Sequence, residues 1–385
     1  MRPILLENAL LLDPEARAPV PGSLLLQEGR IRARLAPGAS APAEALRVEL
    51  GGATLAPGFL DLHFHGELGF HAAAGVAGAL ERASRLLARH GTTAFLPTTV
   101  TQEAGCLSGI VTQTAELIAR ARWPGAEPIG IHLEGPWISA EAAGAQPAAA
   151  IRPADPAEAR DLLARGAGLV RMVTCAPEAS GVDALVPELV RRGVVVALGH
   201  SAATAAEAAA AVERGARHVT HLFNAMSSLH HRAPGLVGVA LADDRLSCDL
   251  ICDGVHVHPA AVRIAARAKG ERLILISDRI DLPPGGGAGF GSGALRSDGV
   301  VVRLADGRLA GSCLTLDRAL VEAQRFGALG LLQAVSAATL RPARLLGIES
   351  ERGTLRVGAR ADLVLLGEDG GVRETWIAGA RVHPA

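Results

Sequence analysis

The sequence predicts an α/β fold: a (β/α)8 TIM-type barrel with a small β-sandwich domain built from both chain ends. Three observations carry the prediction. Between residues 57 and 349, apolar runs of strand length alternate eight times with Ala-rich helical stretches. Before and after that region the texture changes to short strands separated by turns. Chemistry-bearing residues collect where the strand-like runs stop, which is where barrel enzymes keep their sites. A doubly wound open sheet is the alternative. No phosphate-cradling glycine fingerprint follows the first run, which disfavours a dinucleotide fold.

In chain order, residues 1–56 supply strands at Ile4–Leu12, Ser23–Glu28, Arg30–Ala33, Arg47–Glu49 and around Ala53–Leu55, and Pro57-Gly58 marks the boundary. The repeating region, 57–349, has strands at Phe59–His65, Thr92–Thr98, Ile129–Glu134, Leu169–Cys175, Val194–His200, His218–Asn224, Cys248–His256 and Arg272–Asp278. The helices between them are Ala77–His90, Ala104–Ala121, Pro156–Arg165, Val182–Arg192, Thr204–Arg214, Leu236–Ala242, Pro259–Lys269 and Thr315–Phe326. Loop 281–293 is glycine-rich, and a hairpin of Ala294–Leu304 with Arg308–Ala310 turns at Asp306-Gly307, inserted between the last strand and its helix. Residues 350–385 return to strands at Gly353–Gly358, Ala361–Leu366, Thr375–Ile377 and Ala380–His383, which pair with residues 1–56.

Composition bounds the function. The chain has 385 residues, is 49% hydrophobic and carries a formal net charge of -1, with no basic cluster interleaved with aromatics, so nucleic acid is excluded as a partner. The apolar runs are too short for a membrane span, and Glu7 interrupts the N-terminus too early for a signal peptide. Five scattered cysteines suit a reducing compartment. A cytoplasmic protein is expected.

The first strand, Phe59 to Gly66, sets the chemistry. Side chains on a strand alternate faces, so Asp61, His63 and His65 share one face, with the two histidines roughly 7 Å apart. Other strand ends add Glu134, His200, His221, His256 and Asp278. Imidazoles with Glu and Asp oxygens suit a divalent metal, Zn or Fe, and the ligand count allows one or two ions per subunit. Asp278 is the natural proton acceptor for a water acidified by the metal. A second site at Cys248, Cys252, His256 and His258 is rejected, because both cysteines fall within a strand and His258 precedes a helix-opening proline. The loop Asn224–Gly235, with His230, His231 and Arg232, suits an anionic group.

These motifs carry a resemblance. Asp61-Leu62-His63-Phe64-His65-Gly66 and His132-Leu133-Glu134-Gly135-Pro136-Trp137 resemble the amidohydrolase superfamily and, within it, the N-acetylglucosamine-6-phosphate deacetylases. The likeness continues through Gly199-His200-Ser201, Thr220 to Ser227, Leu229 to Gly235, Asp253 to Pro259, Leu309-Ala310-Gly311-Ser312 and the tail from Gly358 to Val364. It implies a homodimer that hydrolyses the N-acetyl group of an amino-sugar 6-phosphate. It implies Glu134, His200 and His221 as ligands of the principal metal, His63 and His65 for a second metal with Glu134 bridging, and Asp278 as the catalytic acid/base. Asn224, the Ala225 backbone and Arg232 match phosphate-contacting positions, with Arg232 reaching the neighbouring active site, and His256 matches a substrate contact. Many superfamily members bridge two metals with a carboxylated lysine. Lys269 is the chain's one lysine and stands before strand eight, on the wrong side for that role.

Three departures stand out. Ser277-Asp278-Arg279-Ile280 replaces the usual Thr-Asp-Ala-Met, so an arginine follows Asp278 and is expected either to lower its pKa or to add an anion contact. Gln146 occupies the place of a substrate-holding histidine. Loop 281–293 differs as well. The alternatives are an amidohydrolase for a different N-acyl sugar phosphate or cyclic amide, and a non-enzymatic binding protein on the same barrel.

Overall fold

The structure is a computed structural model that describes residues 2–40, 42–67, 75–120, 122–282, 289–290 and 293–383. Parallel strands run in sequence order from Phe59–Gly66 through Thr92–Thr99, Ile131–Glu134, Val170–Cys175, Val195–Leu198, His218–Val219 and Ser247–Ile251 to Leu273–Ile276. The sheet then curls back on itself. Arg279 and Ile280 pair with Phe64 and Gly66 of the first strand, and the Asp278 N–H donates to the His63 carbonyl at 2.9 Å. Near-continuous burial of the strands is what a parallel sheet covered by helices requires.

The helices form where their ends are chemically marked. Asp155 accepts from the Ala157 N–H with Pro156 opening the helix Pro156–Arg165. Thr204 and Glu207 make a reciprocal capping box before Ala205–Arg214. His258 caps Pro259–Lys269 through the Ala260 N–H, a capping role that fits its separation from the metal chemistry. Two helices beyond those expected, Leu331–Ala338 and Leu340–Leu345, follow Leu316–Arg325. Their residues are mostly buried and so lack the polar face that makes a helix legible.

Eight strands from both ends of the chain form one hydrogen-bonded sheet: Ile4–Leu11, Val20–Gln27, Arg30–Leu35, Leu46–Glu49, Thr54–Pro57, Leu363–Leu366, Val372–Ile377 and Ala380–His383. The ends meet where Thr54–Pro57 pairs antiparallel with Leu363–Leu366. Strand alternation then welds the two units. Leu363 and Leu365 enter the small core with Leu55 and Trp376, while Val364 and Leu366 enter the main core with Ala56.

Two expectations are corrected. Gly353–Gly358 is turn and irregular backbone rather than strand, with both glycines in left-handed backbone, at φ 88° and 92°, which interrupts regular extended pairing. The arm Ala294–Leu304 is broken at Asp298, whose carboxylate takes the Val300 and Val301 N–H groups. Val301–Arg303 then pairs with Leu309–Ser312 across the expected turn at Asp306-Gly307. Residues 283–288 and 291–292 of the glycine-rich loop lie outside the described residues. No helix among the described residues is long and apolar enough to cross a membrane.

Candidate metal centre and active site

The strands end earlier than their sequences suggest, and the reason lies in the site. His200, His221 and Asp278 take φ of 46°, 34° and 47°, left-handed values that stop a ladder and turn the side chain inward. Strands therefore close at Leu198, Val219 and Ile276. Holding non-glycine residues there costs of order 1 kcal/mol each, and such strain clusters where chemistry requires it. Strand seven ends at Ile251, not His256, because Asp253 draws the Val255 and His256 N–H groups onto its carboxylate at 2.8 Å. Cys252 thus lies just past the strand.

Two sets of ligand-type side chains converge, and Glu134 belongs to both: His63, His65 and Glu134, and Glu134, His200 and His221. His63 Nε2 and His65 Nε2 are 3.1 Å apart, as are His200 Nε2 and His221 Nε2. Glu134 Oε1 lies 3.0 Å from His221, 3.2 Å from His200 and 3.4 Å from His63, and Oε2 lies 3.3 Å from His65. Asp278 Oδ1 is 3.4 Å from His63 and 3.3 Å from His65. Donors around a tetrahedral ion with bonds of about 2.0–2.1 Å stand about 3.3 Å apart, so the spacing fits. The tautomers fit too. His65 Nδ1 meets the Thr98 carbonyl at 3.1 Å, and His200 Nδ1 meets that of Ala142 at 3.0 Å. A carbonyl can only accept, so each Nδ1 carries its proton and, in the neutral ring, Nε2 turns a bare lone pair to the centre.

Without a metal, the electrostatics instead favour protons on these rings. Burial opposes charge on His65, yet hydrogen bonds and charges from Asp278 and Glu134 outweigh it and lift the pKa to about 10. His221, under the same burial penalty, is lifted to about 9, chiefly by Glu134. Burial would raise the Glu134 and Asp278 carboxyls, but the imidazoles around them, His63 first, hold both below the ordinary range. The Arg279 guanidinium is engaged by Asp281 at 2.7 Å and by the Cys313 carbonyl, and the leading causes of the lowered Asp278 pKa are its histidine neighbours.

A cavity of about 250 Å³ opens above this cluster. It is lined by His65, Glu134, Gln146, His200, His221, Asn224, Ala225, His256 and Asp278. His63 is fully buried beneath it. His256 is fixed by its Nδ1 contact to Asp253 at 2.6 Å. Arg232 is not among the lining residues: it is exposed, with its guanidinium against His231 Nε2 at 2.8 Å. Lys269 is buried away from the site and donates to the Asp243 carbonyl at 2.8 Å. Among the described residues, Cys248 and Cys252 join neither ligand set.

Sequence reasoning missed several contributors. Arg308, on the inserted hairpin, lines the cavity and donates to the Gly144 carbonyl at 2.7 Å, and nothing local in the sequence points to it. Asp249 is fully buried, accepts the His221 N–H and meets His218 Nε2 at 3.0 Å. An acid inside the apolar run Ser247–Ile251 was a usable signal, since a buried carboxylate needs partners.

Comparison with known proteins gives this geometry a family. The amidohydrolase family model matches residues 54–382. The chain is 39% identical to the human N-acetylglucosamine-6-phosphate deacetylase, covering 88% of this chain and 86% of that protein. It is 35% identical to an N-acetylgalactosamine-6-phosphate deacetylase from Escherichia coli O157:H7, covering 92% and 96%. A solved N-acetyl-D-glucosamine-6-phosphate deacetylase mutant from Mycobacterium smegmatis, in complex with N-acetyl-D-glucosamine-6-phosphate, superposes over all of both chains with a TM-score of 0.90 at 36% identity. With ligand clusters, cavity and chain-long similarity in agreement, this protein belongs to the amidohydrolase family, in its N-acetylglucosamine-6-phosphate deacetylase branch.

Proposed function

We propose that the protein hydrolyses the N-acetyl group of N-acetyl-D-glucosamine 6-phosphate, giving glucosamine 6-phosphate and acetate. The observation that carries this reading is the convergence of four imidazoles on Glu134 at the floor of a cavity of small-molecule size. A second reading, the galactosamine epimer, is favoured by the E. coli relative, of which the chain covers 96%.

Glu134, His200 and His221 would hold the principal divalent ion, Zn or Fe, and His63 and His65 with Glu134 a second. When bound, the metal supplies Lewis-acid polarisation of the amide carbonyl and an acidified water. Asp278 takes the water's proton and returns it to the leaving amine. Its place beside His63 and His65, and the charge those imidazoles help it keep, support its starting as the ionised acceptor. His256, held by Asp253, orients the sugar, and Asn224 and the Ala225 backbone face its phosphate end. Arg232 completes the phosphate site of the neighbouring subunit in a homodimer. Its exposure and its absence from the lining of its own cavity support that assignment.

The scaffold reading is a (β/α)8 barrel over 57–349 with a β domain from 1–56 and 350–385, supported by the pairing of residues 279–280 with the first strand. Five unpaired cysteines suit the cytoplasm.

The test is a panel of N-acetylated hexosamine 6-phosphates assayed for acetate release, with and without a chelator. Metal-dependent turnover of the glucosamine derivative is expected. Preference for the galactosamine derivative would select the second reading, and turnover unaffected by full metal removal would overturn both.

A further inference from the structure

Gln146 stands beside the ligand cluster with both ends of its side chain engaged. Its Oε1 accepts from the Thr101 N–H at 2.8 Å, and its Nε2 donates to Glu134 Oε2 at 2.5 Å. The amide orientation follows from chemistry: a backbone N–H can only donate and an ionised carboxylate can only accept, so oxygen faces Thr101 and nitrogen faces Glu134. The residue is 7% exposed, at the edge of the cavity, so little of it meets solvent.

The contact falls on one oxygen of a carboxylate whose two oxygens face different neighbours. Oε1 points to His200 and His221 and also lies 3.4 Å from His63, and Oε2 points to His65. A carboxylate swivels about its last side-chain bond unless both oxygens are held. Gln146 holds Oε2 and anchors that hold to the backbone at Thr101, just past the strand Thr92–Thr99.

We propose that Gln146 is a positioning residue that sets the rotation of Glu134 between the two halves of the ligand cluster, and is not a substrate contact. This rests on the metal reading given above. Outer partners of metal-binding carboxylates act in this way. A neutral imidazole can also accept at one nitrogen and donate at the other, so histidine can replace the bridge, whereas methionine fills the space without either bond.

Zinc titration of the metal-free protein against a chromophoric chelator tests the proposal, with wild type, Gln146→Met and Gln146→His compared and melting curves recorded for each. Gln146→Met should weaken zinc binding about 10- to 100-fold, most for the equivalent held by His63 and His65, with KM within about twofold of wild type, and Gln146→His should restore affinity to within about threefold. If Gln146→Met unsettles the fold, Gln146→Asn repeats the test, since it keeps the amide but is too short to span both partners. Wild-type zinc affinity in these variants together with a raised KM would overturn the proposal and make Gln146 a substrate contact. A wild type that takes up no zinc would instead defeat the metal reading itself.

Discussion

The assignment of Arg232 to a neighbouring active site makes a prediction that two crippled variants together should test. Arg232 does not line its own cavity. If, as proposed, it reads a phosphate in the partner, that charge-assisted contact is worth about 1.5–3 kcal/mol, or about 10- to 150-fold in kcat/KM. Arg232→Ala should lose that factor on the phosphorylated substrate and little on its unphosphorylated analogue. Asp278→Asn should lose about 10²-fold or more in kcat through lost proton transfer. Now let the two variants be co-expressed equally with distinct tags. Half of the dimers are mixed, and each mixed dimer has one site with its own Asp278 and the partner's Arg232. Such a population should recover about one quarter of wild-type activity at low substrate, against about a tenth or less for Arg232→Ala alone and about 1% or less for Asp278→Asn alone. The tagged mixed dimer, purified on both tags, should show about half the wild-type rate per dimer. If Arg232 serves its own subunit, every site in the mixture lacks one residue or the other, and no recovery occurs. That result would refute the cross-subunit assignment.

Further outcomes follow from the same geometry. Asp278→Asn should retain its metal by elemental analysis and allow intact substrate to be trapped in a crystal; loss of metal would make Asp278 a ligand instead. His200→Ala and His221→Ala should each lose both metal and turnover, and elemental analysis paired with kinetics will show it. Asp249→Leu should destabilise the fold by about 3–5 kcal/mol in denaturant unfolding, because it strands the buried His218 ring and the His221 N–H. In the metal-free protein, His65 and His221 have folded pKa values raised to about 10 and about 9. Their contribution to stability should therefore be complete below about pH 6.5 and fade as pH rises through 9 to 10. Metal uptake near pH 7.5 must displace those protons, so calorimetry in buffers of different ionisation enthalpy should detect proton release, and an absence of release would contradict the shifts.

How much of this was legible in the sequence depends on what kind of information each feature needs. Strand alternation placed His63 and His65 on one face, and the strand-end rule brought in Glu134, His200, His221 and Asp278, all of which the structure gathers within contact of Glu134 or its histidines. Residue type and periodicity suffice for that. The left-handed backbone at His200, His221 and Asp278 was invisible, since nothing local distinguishes a histidine that continues a strand from one that ends it. The aim of each lone pair was invisible for a related reason. His65 is oriented by a carbonyl 33 positions away and His200 by one 58 positions away, and a carbonyl has no sequence signature. The same holds for Arg279, which looked like an electrostatic neighbour of Asp278 but turns to Asp281 and Cys313 instead. Sequence names the donors because donor chemistry resides in the side chain. Their lone pairs are directed by backbone groups that only the fold brings together, so variants of those supports, as at Asp249, are where further functional differences within the family should be sought.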